Sequence, residues 1–253
     1  AIAYNVWRYW QATGDREFLS CYGAEMLVEI ARFWASMASY NENLGRYEIR
    51  GVMGPDEFHD RYPWREEPGL DNNAYTNVMA AWVLRRAAEA LDFVGIERRR
   101  ELEGLLALTH DETARWDDIS RRMQLVFLDG GIIAQFEGYD RLEELDWDAY
   151  RAKYADIQRL DRILDAEGDT VNRYKASKQA DVLMLFYLFS YDELHDLITS
   201  LGYPFEPDLL RNNIAYYVRR TSDGSTLSRV VHSWVLARGD RARSWSLFAE
   251  ALE

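Results

Sequence analysis

Asp56 and Glu57 are adjacent carboxylates in a stretch that no helix can accommodate, Gly51-Val52-Met53-Gly54-Pro55-Asp56-Glu57-Phe58-His59. Pro55 fixes its own φ and keeps Gly54 out of the helical region, so the backbone here is extended or turned. On extended backbone neighbouring side chains point to opposite faces, and two adjacent carboxylates cannot then share one task. One is free to bond within the protein while the other faces a cavity. A Glu desolvated by aromatic neighbours holds its proton more tightly and serves as a general acid; the plainer alternative is an ordinary acidic turn. A second pair, Lys178-Gln179, joins an ammonium donor to an amide that donates and accepts, a set that suits sugar hydroxyls. Its plainer reading is the polar boundary of an apolar helix. A third segment runs Ser222-Asp223-Gly224-Ser225-Thr226-Leu227-Ser228 ahead of a helix. Hydroxyls and N–H groups at a helix N-terminus make an anion site, although Ser, Thr and Asp are also common caps there.

Helices must position these groups. Phe18, Tyr22, Met26, Ile30, Phe33, Trp34 and Met37 recur at spacings of three and four, which predicts a helix over 17–39 with these residues on one face. An aromatic helix over 3–11 precedes it, ended by Gly14-Asp15. Residues 72–93 read as helical, as does 97–107 continuing toward Trp116. Residues 178–189 are apolar nearly all round, and shorter helices are expected over 191–200, 207–218, 227–237 and 241–252, roughly nine in all. Gly51, Gly54, Pro55, Pro63, Pro68 and Gly69 make 51–71 a long structured loop, and 125–169 reads as a second irregular region. There is no run of alternating strands and no repeat period. The class is all-α, with the unusual residues on loops.

Composition narrows the partners. The chain has 253 residues and a net charge of −13, which opposes nucleic acid because phosphates are repelled unless a basic patch is concentrated somewhere. The Arg98-Arg99-Arg100 cluster is surrounded by Glu97, Glu101 and Glu103 and reads as a solvated helix face. The longest apolar stretch, Val182 to Phe189, is far short of the roughly 20 residues a membrane span needs. A single cysteine, Cys21, sits among apolar residues and fits a reducing, cytoplasmic compartment. The four histidines, His59, His110, His195 and His232, lack metal-ligand spacing, and neither a metal nor a cofactor is expected. Nine Trp and sixteen Tyr in an acidic chain are compatible with a carbohydrate cleft, where rings meet pyranose faces and carboxylates meet hydroxyls.

The motifs Gly54-Pro55-Asp56-Glu57-Phe58-His59, Asp71-Asn72-Asn73-Ala74-Tyr75-Thr76-Asn77 and Lys178-Gln179-Ala180-Asp181 resemble glycoside hydrolase family 65. Thr13-Gly14-Asp15-Arg16-Glu17-Phe18-Leu19, Gly23-Ala24-Glu25, Ala31-Arg32-Phe33-Trp34, Gln135-Phe136-Glu137-Gly138-Tyr139 and Leu227-Ser228 extend the resemblance along the chain in the same order. That family holds maltose, trehalose and kojibiose phosphorylases and trehalose hydrolases. The resemblance implies an (α/α)6 barrel of which residues 1–253 are one part, incomplete here. The family's N-terminal β-sandwich and C-terminal β-domain have no counterpart, and neither has its aromatic glucose-binding segment upstream of the acid. The chain therefore reads as an interior part of a longer enzyme. The helices over 17–39 and 178–189 are expected to self-associate or to need the absent segments.

By the same resemblance Glu57 is the general acid, Lys178 and Gln179 contact substrate hydroxyls, and Ser225, Thr226 and Ser228 belong to the phosphate loop. Asp223 and Thr226 stand where the phosphorylases are expected to carry a His and a Ser-Ser pair. A carboxylate about 4 Å from each phosphate charge costs about 4 kcal/mol per pair at an effective dielectric near 20. Asp223 would instead suit the general base of an inverting hydrolase, about 6.5–9.5 Å from the acid; its plainer role is a helix cap. The expectation thus leans to inverting hydrolysis of an α-linked glucose disaccharide, trehalose favoured. The alternatives are phosphorolysis of trehalose, maltose or kojibiose to glucose 1-phosphate, with inorganic phosphate as co-substrate, and a non-catalytic helical sugar-binding module.

Overall fold

The computed structural model describes residues 1–222 and 226–252, which are mostly helical and form two compact units. The all-α class read from the sequence holds, consistent with the (α/α) barrel that the resemblance implies.

The first unit comprises Ala1–Ile49, Asn77–Gln124 and Ser200–Tyr203. Its opening helix, Ile2–Thr13, stops where Gly14 turns left-handed and returns its N–H to the Trp10 carbonyl. Asp15 then caps the next helical run by accepting the Phe18 N–H. That run passes from Arg16–Phe18 through a π-helical turn, Leu19–Gly23, into Ala24–Met37. Its buried stripe is Ala24, Leu27, Val28, Ala31 and Ala35. Tyr22, Met26, Phe33 and Met37, on the apolar face expected to lack its partners, are exposed. Small side chains let helices approach closely, and the bulky stripe is the one left outward. Cys21, expected among apolar neighbours, is exposed too. A hairpin pairs Ser39–Asn41 with Arg46–Glu48, and Tyr47 donates to Asp118 on the helix His110–Arg122. The expected continuation from 97 to Trp116 is broken after Ile96–Leu105, where Ala107 adopts a φ of 48° and Thr109 caps a new helix.

The second unit comprises Arg50–Thr76, Leu125–Thr199 and Pro204–Glu253. The apolar helix expected from 178 begins at Asp181 and ends at Leu188, with Val182, Leu183, Leu185 and Phe186 buried. It packs on Leu209–Val218 and on Thr226–Leu236, and the latter packs on Arg241–Glu250. Asn213 ties a short hairpin, Phe127–Leu128 with Ile132–Ile133, to this layer: it accepts the Ile133 N–H and donates to the Gly131 carbonyl. Two helices inside the expected irregular region, Trp147–Lys153 and Leu160–Ala166, escape sequence reading because each has only 7 residues. With the break near Ala107 and the π-helical turn after Phe18, they raise the number to thirteen α-helical segments among the described residues. Phe186→Ala is expected to cost about 3–5 kcal/mol, seen as a lower urea midpoint at unchanged slope.

Candidate active site

The loop between Arg50 and Asn73 is anchored at both ends. Val52 and Leu70 exchange both backbone hydrogen bonds, at 3.0 and 2.7 Å. Beside them Gly69, at a φ of +102°, passes so close to Gly51 that a Cβ would lie 2.6 Å from backbone. Tyr62 bridges the loop, accepting the Asp71 N–H and donating to the Glu137 carbonyl. Burial pushes its hydroxyl up to about 12, so it stays a donor at any working pH. Phe58 enters an apolar cluster with Leu145, Leu160, Leu164, Val171 and Ala176. Next to it His59 is buried, its Nε2 2.9 Å from the Tyr174 carbonyl.

Asp56 and Glu57 face opposite ways between these anchors. Asp56 is buried, and its Oδ1 accepts the backbone N–H groups of Lys178 and Gln179 at 3.0 and 3.4 Å. Its own N–H donates to Asp181 Oδ1 at 2.7 Å. Asn73 Nδ2 donates to the other Asp181 oxygen at 2.6 Å, and the Asp181 N–H donates to Gln135 Oε1. Gln135 in turn donates to Ser177 Oγ. Burial first, and the Asp56 carboxylate second, raise the Asp181 pKa far above the usual carboxylate range. The Asn73 and Asp56 N–H donors oppose that shift without cancelling it. Asp56 Oδ2 and His59 Nδ1 are 3.8 Å apart, and among the described residues neither has a hydrogen-bond partner.

Glu57 is outside this buried set. Its side chain is 66% exposed, and its carboxylate meets Lys178 Nζ at 2.7 Å. The expected desolvation by an aromatic wall is therefore corrected: what Glu57 has in this chain is a cation and open solvent. Lys178 is largely covered and Gln179 is buried. The residues expected to bind phosphate divide. Thr226 is exposed at the start of Thr226–Leu236. Ser228 is fully buried, with its hydroxyl donating to the Lys178 carbonyl at 3.0 Å. Asp223 and Ser225 lie outside the described residues. Ahead of them, Ser222 N–H donates to the Ser177 carbonyl and Ser177 N–H to the Arg220 carbonyl.

Sequence reading proposed Glu57, Lys178 and Gln179 as site residues and expected one of Asp56 and Glu57 to bond within the protein; the structure gives that bond to Asp56 and brings Glu57 and Lys178 together. Sequence reading gave no role to Asn73, Gln135, Ser177 or Asp181, although three of these stand in the quoted motifs. The signal was available in Asn73 and Asp181: polar residues at the starts of apolar helices, where Asn73 Oδ1 accepts the Thr76 N–H and leaves its amide NH2 for a distant partner. Among the described residues no three His, Cys, Asp or Glu side chains are grouped so as to hold a metal ion, and no helix is long and apolar enough to cross a membrane.

Known proteins share this chain over its whole length. Residues 1–253 match the glycosyl hydrolase family 65 central catalytic domain. An uncharacterised glycosyl hydrolase of Mycobacterium tuberculosis strain H37Rv is 59% identical over 252 residues, which are 100% of this chain and 19% of that protein. Trehalose 6-phosphate phosphorylase of Lactococcus lactis is 39% identical, over 93% of this chain and 29% of the relative. A solved structure, provisionally assigned as a kojibiose phosphorylase from the human microbiome, superposes with a TM-score of 0.78 at 26% identity, covering 98% of this chain and 33% of that one. The chain thus spans between a fifth and a third of the length of these relatives. A match from the first residue to the last, on a helical scaffold of the same fold, shows that the chain belongs to glycosyl hydrolase family 65.

Proposed function

We propose that this chain carries the acid side of an inverting phosphorolysis of an α-linked glucose disaccharide, with Glu57 as proton donor. The observation that carries the reading is the position of Lys178. Its side chain meets Glu57, its N–H is held by Asp56, and its carbonyl is held by Ser228. The acid loop and the helix N-terminus at Thr226 are thereby brought to the same two residues of backbone. A helix N-terminus favours an anion, and an ammonium between acid and anion suits a reaction that consumes phosphate. In the reaction the glycosidic C1–O bond breaks and the Glu57 proton goes to the departing oxygen. A phosphate oxygen bonds to C1 from the opposite face, giving glucose 1-phosphate of inverted configuration. Lys178 and Gln179 hold substrate hydroxyls.

The lean toward hydrolysis rested on Asp223 as base, and that residue lies outside the described set. Relatives named for trehalose 6-phosphate, kojibiose and maltose are all phosphorylases. Their shared chemistry, an α-glucosyl group on a sugar acceptor, is the substrate class proposed here. The test is turnover of a panel of α-glucosyl disaccharides by the full-length protein, with and without phosphate. Strict phosphate dependence with glucose 1-phosphate as product is expected. Free glucose released at the same rate without phosphate would return the enzyme to the hydrolases and make Asp223→Asn the next variant.

A further inference from the structure

The two loops that carry Glu57 and Lys178 hold each other through two buried carboxylates that never reach the surface. Asp181, on the Lys178 side, grips the backbone of the acid loop through the Asp56 N–H. Asp56, on the acid side, grips the backbone of residues 178 and 179. The two grips are reciprocal, and each ends on the residue beside a site residue: Asp56 N is one residue from Glu57, and Gln179 N one residue from Lys178. Gly54 lets them close. A Cβ there would lie 1.9 Å from Asp181 Oδ2 and 2.5 Å from Asn73 Nδ2, so the loop lies against the carboxylate with no room for a side chain.

From this geometry we infer that Asp181 is a positioning residue for the proton donor, acting on Glu57 through the backbone of Asp56. The inference rests on the reading of Glu57 as the acid. Two features separate it from mere support of the fold. Asp181 is held on both sides: its N–H goes to Gln135, its two oxygens to Asp56 N and Asn73 Nδ2, and Gln135 is itself tied to Ser177. A side chain fixed at each polar atom transmits position rather than filling space. Further, the fold holds these loops apolarly without it, since Phe58 sits in its own cluster and the Asp181–Leu188 helix is buried through Val182, Leu183, Leu185 and Phe186. What Asp181 adds is the register between the donor and Lys178. Misplacing a reacting group by about 1 Å costs on the order of 100-fold.

A donor that is misplaced, rather than a protein that is destabilised, reveals itself through the leaving group. A disaccharide needs its departing oxygen protonated, whereas an α-glucoside of a dinitrophenol leaves as a stable anion and needs no acid. The experiment compares kcat and KM for both substrates in the full-length protein and in Glu57→Gln, Asp181→Ala and Asp181→Asn, with helicity checked by circular dichroism. Asp181→Ala is expected to lower kcat on the disaccharide about 100-fold, with KM and the nitrophenyl reaction within a few-fold of wild type. Asp181→Asn keeps a carbonyl to accept the Asp56 N–H and is expected to recover most of that loss. Should Asp181→Ala not fold, Asp181→Asn carries the test through a smaller loss confined to the disaccharide. Equal losses on both substrates, or none on either, overturn the inference. Glu57→Gln separates the two readings. If it shows the selective loss and the Asp181 variants do not, only the positioning role fails. If Glu57→Gln itself loses both substrates equally, Glu57 is not the donor and the inference falls with it.

Discussion

Glu57→Gln abolishes all but a trace of disaccharide turnover, an expected loss of about 10²–10⁴-fold, the range that general acid catalysis contributes. The amide is isosteric and still offers an oxygen to Lys178 Nζ, which Glu57 meets at 2.7 Å, so the loop keeps its geometry while the transferable proton is removed. Glu57 is two-thirds exposed, so its side of the pair is screened by solvent and little stability depends on it. An unchanged melting temperature with lost turnover is the signature of a donor. Turnover within about tenfold of wild type would exclude Glu57 as the acid. Unchanged disaccharide binding by the variant, with no turnover in wild type either, would favour a sugar-binding module.

Gly54→Ala carries the second large effect, and it combines activity with stability. The new methyl would overlap Asp181 Oδ2 at 1.9 Å and approach Asn73 Nδ2 at 2.5 Å. Both atoms belong to buried side chains already fixed by hydrogen bonds, so neither can swing aside as an exposed lysine would. The acid loop must lift. Overpacking of this kind costs about 1–3 kcal/mol, and lifting the donor by an ångström costs on the order of 100-fold in kcat. Thermal unfolding and steady-state kinetics on the one variant check both. Wild-type values in the two measurements would mean that the loop tolerates a Cβ and that its closeness to Asp181 has no consequence.

The helices over 17–39 and 178–189 show what a sequence can and cannot disclose about this protein. The three-and-four spacing of Tyr22, Met26, Phe33 and Met37 marks a helix and its bulky apolar face, but does not reveal that a second face, Ala24, Leu27, Val28, Ala31 and Ala35, is the one buried. Periodicity ranks side chains by hydrophobicity, whereas burial here follows size: Ala24, Ala31 and Ala35 admit a neighbour's backbone, and Tyr22 and Phe33 do not. At 178 the apolar pattern runs on smoothly, yet the helix waits until Asp181, since the N–H groups of Lys178 and Gln179 are taken by Asp56 from 122 and 123 residues away. No local signal encodes that partner. For the site, the opposition of Asp56 and Glu57 was legible from Pro55 and extended geometry alone. The ion pair of Glu57 with Lys178 was not, because it depends on where two distant loops meet.

That distance also sets when the site can exist during folding. The contacts that assemble it join positions 125, 108 and 122 residues apart: Asp56 to Asp181, Asn73 to Asp181, and Lys178 to Asp56. Closing loops of that length comes at an entropic disadvantage that local helix contacts do not face, and contacts of large sequence separation form slowly. Helices such as Ile2–Thr13 and Ala24–Met37 need only near neighbours to start, so most of the helicity is expected to form before Glu57 and Lys178 meet. Helical signal and catalytic competence should therefore recover at different times in a refolding experiment, activity being the later. Until the two aspartates cross, the polypeptide is a set of helices in which the proposed donor has no fixed place.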